Sequence, residues 1–191
     1  MKRTPSEGYN EYQMRAYAQF GVLISLFIDP DNPDDFIAGY VQSLTSRQVM
    51  LSAVSTYGRF DGFITVRLSD IQMVLGEDDY ALRLKMLLLA RGEDRPGFHA
   101  EEDEDLMHAV CRWALEHHEV VTLWTKDSEY CGMVKALDDM RVTLDSLDYF
   151  GQNPITETVV LREVQMASSG TEDDRMFTLL HQKGGEVLSH S

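Results

Sequence analysis

The stretch Gly39-Tyr40-Val41-Gln42-Ser43-Leu44, continued by Val49-Met50-Leu51, is met a second time as Gly132-Met133-Val134-Lys135-Ala136-Leu137 and Val142-Thr143-Leu144. A shift of 93 positions lays Gly39 to Met73 on Gly132 to Met166 without a gap. Gly58, Thr65, Val66, Leu68, Gln72 and Met73 then meet Gly151, Thr158, Val159, Leu161, Gln165 and Met166. Tyr57 with Phe150 and Ile71 with Val164 keep the same register. So long a repeat is a duplicated small domain, because solenoid units recur every ~20–50 residues. The 191 residues are therefore expected to form two domains, each of roughly 75–90 residues. Their expected limits are 1–90 for the first repeat with its closing helix, 91–100 for a linker around Arg95-Pro96-Gly97, and 101–191 for the second repeat, fraying from Lys183 onward.

Working outward, each copy opens on a helical pattern. Tyr9, Tyr12, Ala16 and Phe20 recur at helical spacing and stop at Gly21; in the second copy Glu101-Glu102-Asp103-Glu104-Asp105 opens a helix that continues through Met107, Val110, Trp113 and Ala114. Acidic residues at its start and His117-His118 at its end suit the helix dipole. Five strands are predicted per copy. They are Gly21–Ile28, Phe36–Leu44, Val49–Val54, Phe63–Leu68 and Ile71–Leu75, then Glu119–Thr125, Tyr130–Leu137, Val142–Leu147, Thr156–Leu161 and Val164–Ala167. Gly39 and Gly132 fall inside the second strand of each set, where glycine marks a sharp bend or a close backbone approach. Leu- and Met-rich Asp78–Ala90 and the weaker Glu172–His181 are read as closing helices.

An apolar fraction of 43% and a charged fraction of 26% are ordinary for a globular protein. No apolar run reaches the ~20 residues that span a bilayer, and the start Met1-Lys2-Arg3-Thr4-Pro5 lacks a signal-peptide core. Cytoplasmic residence without membrane association is the expectation. Cys111 and Cys131 have no metal-ligand spacing and are read as small buried apolar residues. The net charge of −15 is uneven: 11 acidic against 9 basic residues up to Gly92, then 21 against 8. The second half should repel a phosphate backbone, whereas the first is nearly neutral.

A short helix, five bent strands and a glycine in the second strand together resemble the Sm-like small barrels of the SH3-like group. Val120 to Leu123 and Asp127-Ser128-Glu129-Tyr130-Cys131-Gly132-Met133-Val134 are similar to the family's first two strands and their charged turn. Asp138-Asp139-Met140-Arg141-Val142-Thr143-Leu144 resembles its acidic turn and third strand, and Val159 to Val164 stands where its second motif lies. The resemblance implies a mostly β fold with flanking helices, built as two tandem five-stranded barrels. It also implies RNA binding by an asparagine after the second strand and an Arg-Gly or Lys-Gly pair before the fifth. Here those places hold Ser46-Arg47-Gln48 and Ser69-Asp70, then Asp139-Met140-Arg141 and Arg162-Glu163, so the barrel is expected without the family's RNA pocket. Asp29 to Phe36 and Tyr57 to Gly62 also resemble Gram-positive bacterial proteins whose activity is uncharacterised.

The copies differ most in two places. The first has an extra acidic loop, Asp29-Pro30-Asp31-Asn32-Pro33-Asp34-Asp35. A calcium loop of the EF-hand type starting at Asp29 would need a ligand oxygen, a glycine and a glutamate where Pro33, Asp34 and Tyr40 stand. A proline-stiffened surface loop explains the run better. Tyr57-Gly58-Arg59-Phe60-Asp61-Gly62-Phe63 combines aromatics with arginine, and its counterpart Phe150-Gly151-Gln152-Asn153-Pro154 has lost the charge. His108, Cys111, His117 and His118 lack the second ligand pair of a zinc site. There is no nucleophile elbow, phosphate loop or zinc-protease motif.

The expected function is therefore non-catalytic and without cofactor or metal. A protein partner would bind the first barrel through Asp31, Asn32, Asp34, Asp35, Tyr57, Arg59, Phe60 and Asp61. RNA or single-stranded nucleic acid held by Arg47, Arg59, Phe60 and Arg67 is the alternative. A homo-oligomer through exposed barrel edges is a third kind of partnership. The Met86-Leu87-Leu88-Leu89 run is read as the surface joining the two barrels, or else as a partner-binding face.

Overall fold

A computed structural model describes residues 7–29, 31–32, 35–101 and 104–188. The chain divides into two compact units, Met1–Leu106 and Met107–Ser191, so the segment expected as a linker goes with the first. Both are mostly β with flanking helices.

In the first unit, helix α1 (Glu7–Phe20) is followed by β1 (Leu23–Phe27), β2 (Phe36–Leu44), β3 (Gln48–Val54), β4 (Phe60–Arg67), a 3-10 turn at Leu68–Asp70, β5 (Met73–Gly76) and α2 (Asp79–Arg91). The second unit has α3 (Leu106–His117, starting at the boundary), β6 (Val120–Trp124), β7 (Glu129–Leu137), β8 (Arg141–Ser146), β9 (Ile155–Val160), a 3-10 turn at Leu161–Glu163, β10 (Met166–Ser169) and α4 (Glu172–Leu188). The strand order is β5-β1-β2-β3-β4 in one unit and β10-β6-β7-β8-β9 in the other. Neighbours within each unit are antiparallel. The expected closed barrels are not what these pairings form. β4 and β5 stand at opposite ends of their order, as do β9 and β10, so neither five-stranded set closes on itself by hydrogen bonds.

Both sheets bend at matching places. A bulge shifts the register between Val41 and Ser43 in β2 and between Val134 and Ala136 in β7. Gly39 lies opposite Ala53 and Gly132 opposite Ser146. A Cβ on Gly39 would come within 2.6 Å of the Ser52 carbonyl oxygen, and one on Gly132 within 2.5 Å of that of Asp145. Only glycine lets the backbones approach so closely.

The helix ends follow their local chemistry. Gly21 is left-handed and ends α1, with Gly21 N–H donating to Ala18 O and Val22 N–H to Tyr17 O. Asp78 caps α2 by accepting from the Ala81 N–H, and left-handed Gly92 ends it. The first core is built from Met14, Ile24, Leu26, Val49, Leu51, Val66 and Leu68. The second uses Met107, Val110, Val121, Leu123, Val142, Leu144 and Val164. α1 turns Met14 inward and leaves Tyr12 and Phe20 exposed, the reverse of what its aromatic spacing implies. No helix among the described residues is long and apolar enough to cross a membrane.

Candidate interaction surface

Antiparallel pairing brings the two divergent segments of the first unit to one end of the sheet. Phe27 pairs with Phe36 at the β1–β2 loop, and Val54 pairs with Phe60 at the β3–β4 turn. In the loop, Asp29 Oδ1 accepts from the Asp31 N–H at 2.8 Å and Asn32 O from the Asp35 N–H at 3.1 Å. Asp31, Asn32 and Asp35 are exposed, and Asp34 lies outside the described residues.

The turn closes with Ser55 N–H donating to Arg59 O and Gly58 N–H to Ser55 O. Gly58 is left-handed and so close to α2 that a Cβ would meet Leu87 Cβ at 2.2 Å. Arg91 Nε donates to Tyr57 O at 3.0 Å, so the turn is seated on the helix. Tyr57 is 69% exposed and Arg59 is exposed. Phe60 and Asp61 are only half-exposed. The Phe60 ring lies 6.2 Å from Tyr40 and packs on the cluster of Leu23, Ala38, Val54, Ala81, Leu84 and Leu88.

α2 carries two apolar stripes. Ala81, Leu84 and Leu88 face the sheet, whereas Leu82, Met86 and Leu89 are 44%, 71% and 75% exposed. The 82, 86, 89 spacing places the second stripe along one outer face. The turn bearing Tyr57 joins the same helix at Leu87 and Arg91. Two interleaved stripes thus divide the Met86–Leu89 run, which apolar spacing alone does not separate.

The four residues of the nucleic-acid reading are not gathered. Arg47 and Arg67 are at the far end of β3, where Leu68 N–H donates to Arg47 O and Gln48 pairs with Arg67. Arg59 and Phe60 are at the other end, about 20 Å away along a seven-residue strand. Beside Arg47, Ser69 donates to the Asp70 carboxylate at 3.0 Å.

Residues 93–101, with no helix or strand, lie on one face of β2, β3 and β4, and Asp105 joins them at the end of β3. The Arg95 guanidinium carbon is 5.3 Å from the Tyr40 ring centroid, and its Nη2 donates to Val41 O at 2.6 Å. Arg95 is exposed as a residue, yet burial of its head lowers its pKa, with Tyr40 opposing the shift. Phe98 packs edge-on against Phe63 at 4.8 Å, and Gln42 Nε2 donates to Phe98 O at 3.3 Å. Buried Gln48 donates to Asp105 at 3.1 Å and accepts from the Leu106 N–H at 2.7 Å. The only sequence signal for this strap was an arginine and a phenylalanine in a stretch otherwise free of pattern.

The second unit holds a buried carboxylate that sequence reasoning also missed. Asp174, 1% exposed, accepts from Thr122 Oγ1, Ser168 Oγ and Thr171 Oγ1 at 2.7, 3.0 and 2.6 Å. Thr171 Oγ1 in return accepts from the Asp174 N–H, the reciprocal arrangement of a helix cap. Its hydrogen bonds are those of a structural group. Burial pushes the nearby Cys131 thiol up to about 11, against a hydrogen bond from Thr122 and with help from Asp174. A thiol so protonated is a poor nucleophile at neutral pH. Cys111 and Cys131 are both free. Among the described residues no three His, Cys, Asp or Glu side chains converge as a metal ion would require.

No protein-family model, no curated protein and no solved structure matches this chain.

Proposed function

We propose that the chain is a non-catalytic, cytoplasmic interaction protein of two duplicated Sm-like repeats, which binds a protein partner through its first unit. The observation carrying this reading is the solvent exposure of Tyr57, Met86 and Leu89 on a turn and helix that are otherwise well seated. Large exposed apolar groups clustered beside polar ones mark interaction surfaces, and here Arg59, Asp31, Asn32 and Asp35 supply the polar rim. Phe60 and Asp61 would act by holding the turn rather than by meeting the partner. Support for the duplication comes from the matching strand orders, bulges and buried strand glycines. The test is co-purification with Tyr57→Ala, Arg59→Ala and Met86→Glu, each first checked for an unchanged melting curve. Loss of the same protein from all three is expected; its full retention would overturn the proposal.

The separation of Arg59 from Arg47 and Arg67 weighs against nucleic acid as the ligand. A gel-shift titration at low salt, where electrostatic affinity is greatest, should show no RNA retained. Self-association through a sheet edge would use an end strand such as β5, with four residues, or β9, with six. Short edges resist pairing, and light scattering should report a monomer.

A further inference from the structure

The sheet face beneath residues 93–101 has an unusual composition for a surface that is covered. Tyr40, Ser52 and Phe63 are direct cross-strand partners, and the Gln42 side chain joins them by accepting from Ser52 Oγ at 3.0 Å. Two residues along β4 from Phe63, and so on the same face, Thr65 is 0% exposed. Its Oγ1 has no hydrogen-bond partner among the described residues. Most buried hydroxyls find a hydrogen-bond partner, so Thr65 Oγ1 has capacity left for a polar contact. The cover is an irregular segment with a left-handed Gly92 at one end, and Asp94, Arg95, Gly97 and His99 remain exposed. It is held by side-chain anchors at Arg95 and Phe98, with Gln48 bonding Asp105 at its end, rather than by strand pairing.

We propose that this face is a peptide-binding groove, filled in cis by the chain's own strap. The competing ligand is an extended segment of a partner protein with arginine and phenylalanine three residues apart. The arginine would lie over Tyr40 and donate to Val41 O, and the aromatic ring would sit on Phe63. Gln42 and Ser52 would bind the intervening backbone, and Thr65 offers a polar contact that the strap does not make. This groove is separate from the outer face of α2, so either can fail alone. A tethered strap competes at an effective concentration of order mM. A free segment with an intrinsic Kd near ~10 μM would therefore bind the closed chain roughly 100-fold more weakly.

The probe is a fluorescein-labelled peptide copying residues 92–101, titrated by anisotropy against the full chain and against its Arg95→Ala/Phe98→Ala double variant. Binding at least tenfold tighter to the double variant is expected, with no binding by a peptide bearing alanine at both anchor positions. No binding to a folded double variant, or equal binding to both proteins, overturns the proposal. Should the double variant unfold, a spin-labelled copy of the peptide at ~1 mM is added to the unaltered chain. Broadening of the Gln42, Ser52 and Phe63 amide signals is expected there, and its absence overturns the proposal.

Discussion

At the scale of single residues, the glycines were legible and the buried polar groups were not. Gly39 and Gly132 stand out in sequence because glycine is rare in strands, and each faces a carbonyl oxygen across the sheet. Gly132→Ala should cost ~1–3 kcal/mol, since the clash is with backbone rather than with a side chain that can turn away; urea unfolding measures it. Asp174 gave no such signal, because a carboxylate next to Asp173 reads as helix-start acidity until the fold brings Thr122 and Ser168 to it. Asp148 is a third case. Hydrogen bonds from Asn153, then from the Gln152 and Phe150 amides, hold its carboxyl below the usual range. A folded pKa below the unfolded value means that its contribution is present above ~pH 4 and is lost as pH falls through the folded value. Asp148→Asn should flatten the acid limb of the urea midpoint plotted against pH over that window, by lowering the midpoint on the neutral side while leaving it nearly unchanged at the acid end.

At the scale of elements, periodicity located the helices and most strands to within a few residues. β2 was read as Phe36–Leu44, the span it occupies. Periodicity did not decide which face of a helix is inside. α1 offers Tyr12 and Phe20 on one side and Met14 on another, and the sheet takes Met14. α2 is apolar on both stripes, so only tertiary contact separates Leu84 and Leu88 from Met86 and Leu89. The two stripes should behave differently on truncation. Leu84→Ala should cost ~2–4 kcal/mol through lost burial and the cavity left behind. Met86→Ala and Leu89→Ala should stay within about 0.5 kcal/mol in the same denaturant experiment, as surface changes do. The strap was unreadable for the opposite reason. Without a period, Arg95-Pro96-Gly97-Phe98 looks like a spacer, and its anchors appear only once Tyr40 and Phe63 share a sheet face.

At the scale of the whole molecule, the chain divides into two compact units with the same order of elements, and the 93-residue repeat runs through both. What it did not foretell was their openness, because closure depends on which edges pair and hydrophobic spacing is silent about that. The acidic excess of the second half opposes a phosphate backbone, and in the first unit Arg59 stands at the opposite end of β3 from Arg47 and Arg67. The most direct measurement is photo-crosslinking in the native host, with a photoreactive residue replacing Met86 in one chain and Met140, 65% exposed in the second unit, in another. A discrete protein adduct from position 86 and none from position 140 is the predicted result. No adduct at position 86, or the same adducts from both positions, would contradict partner binding through the first unit.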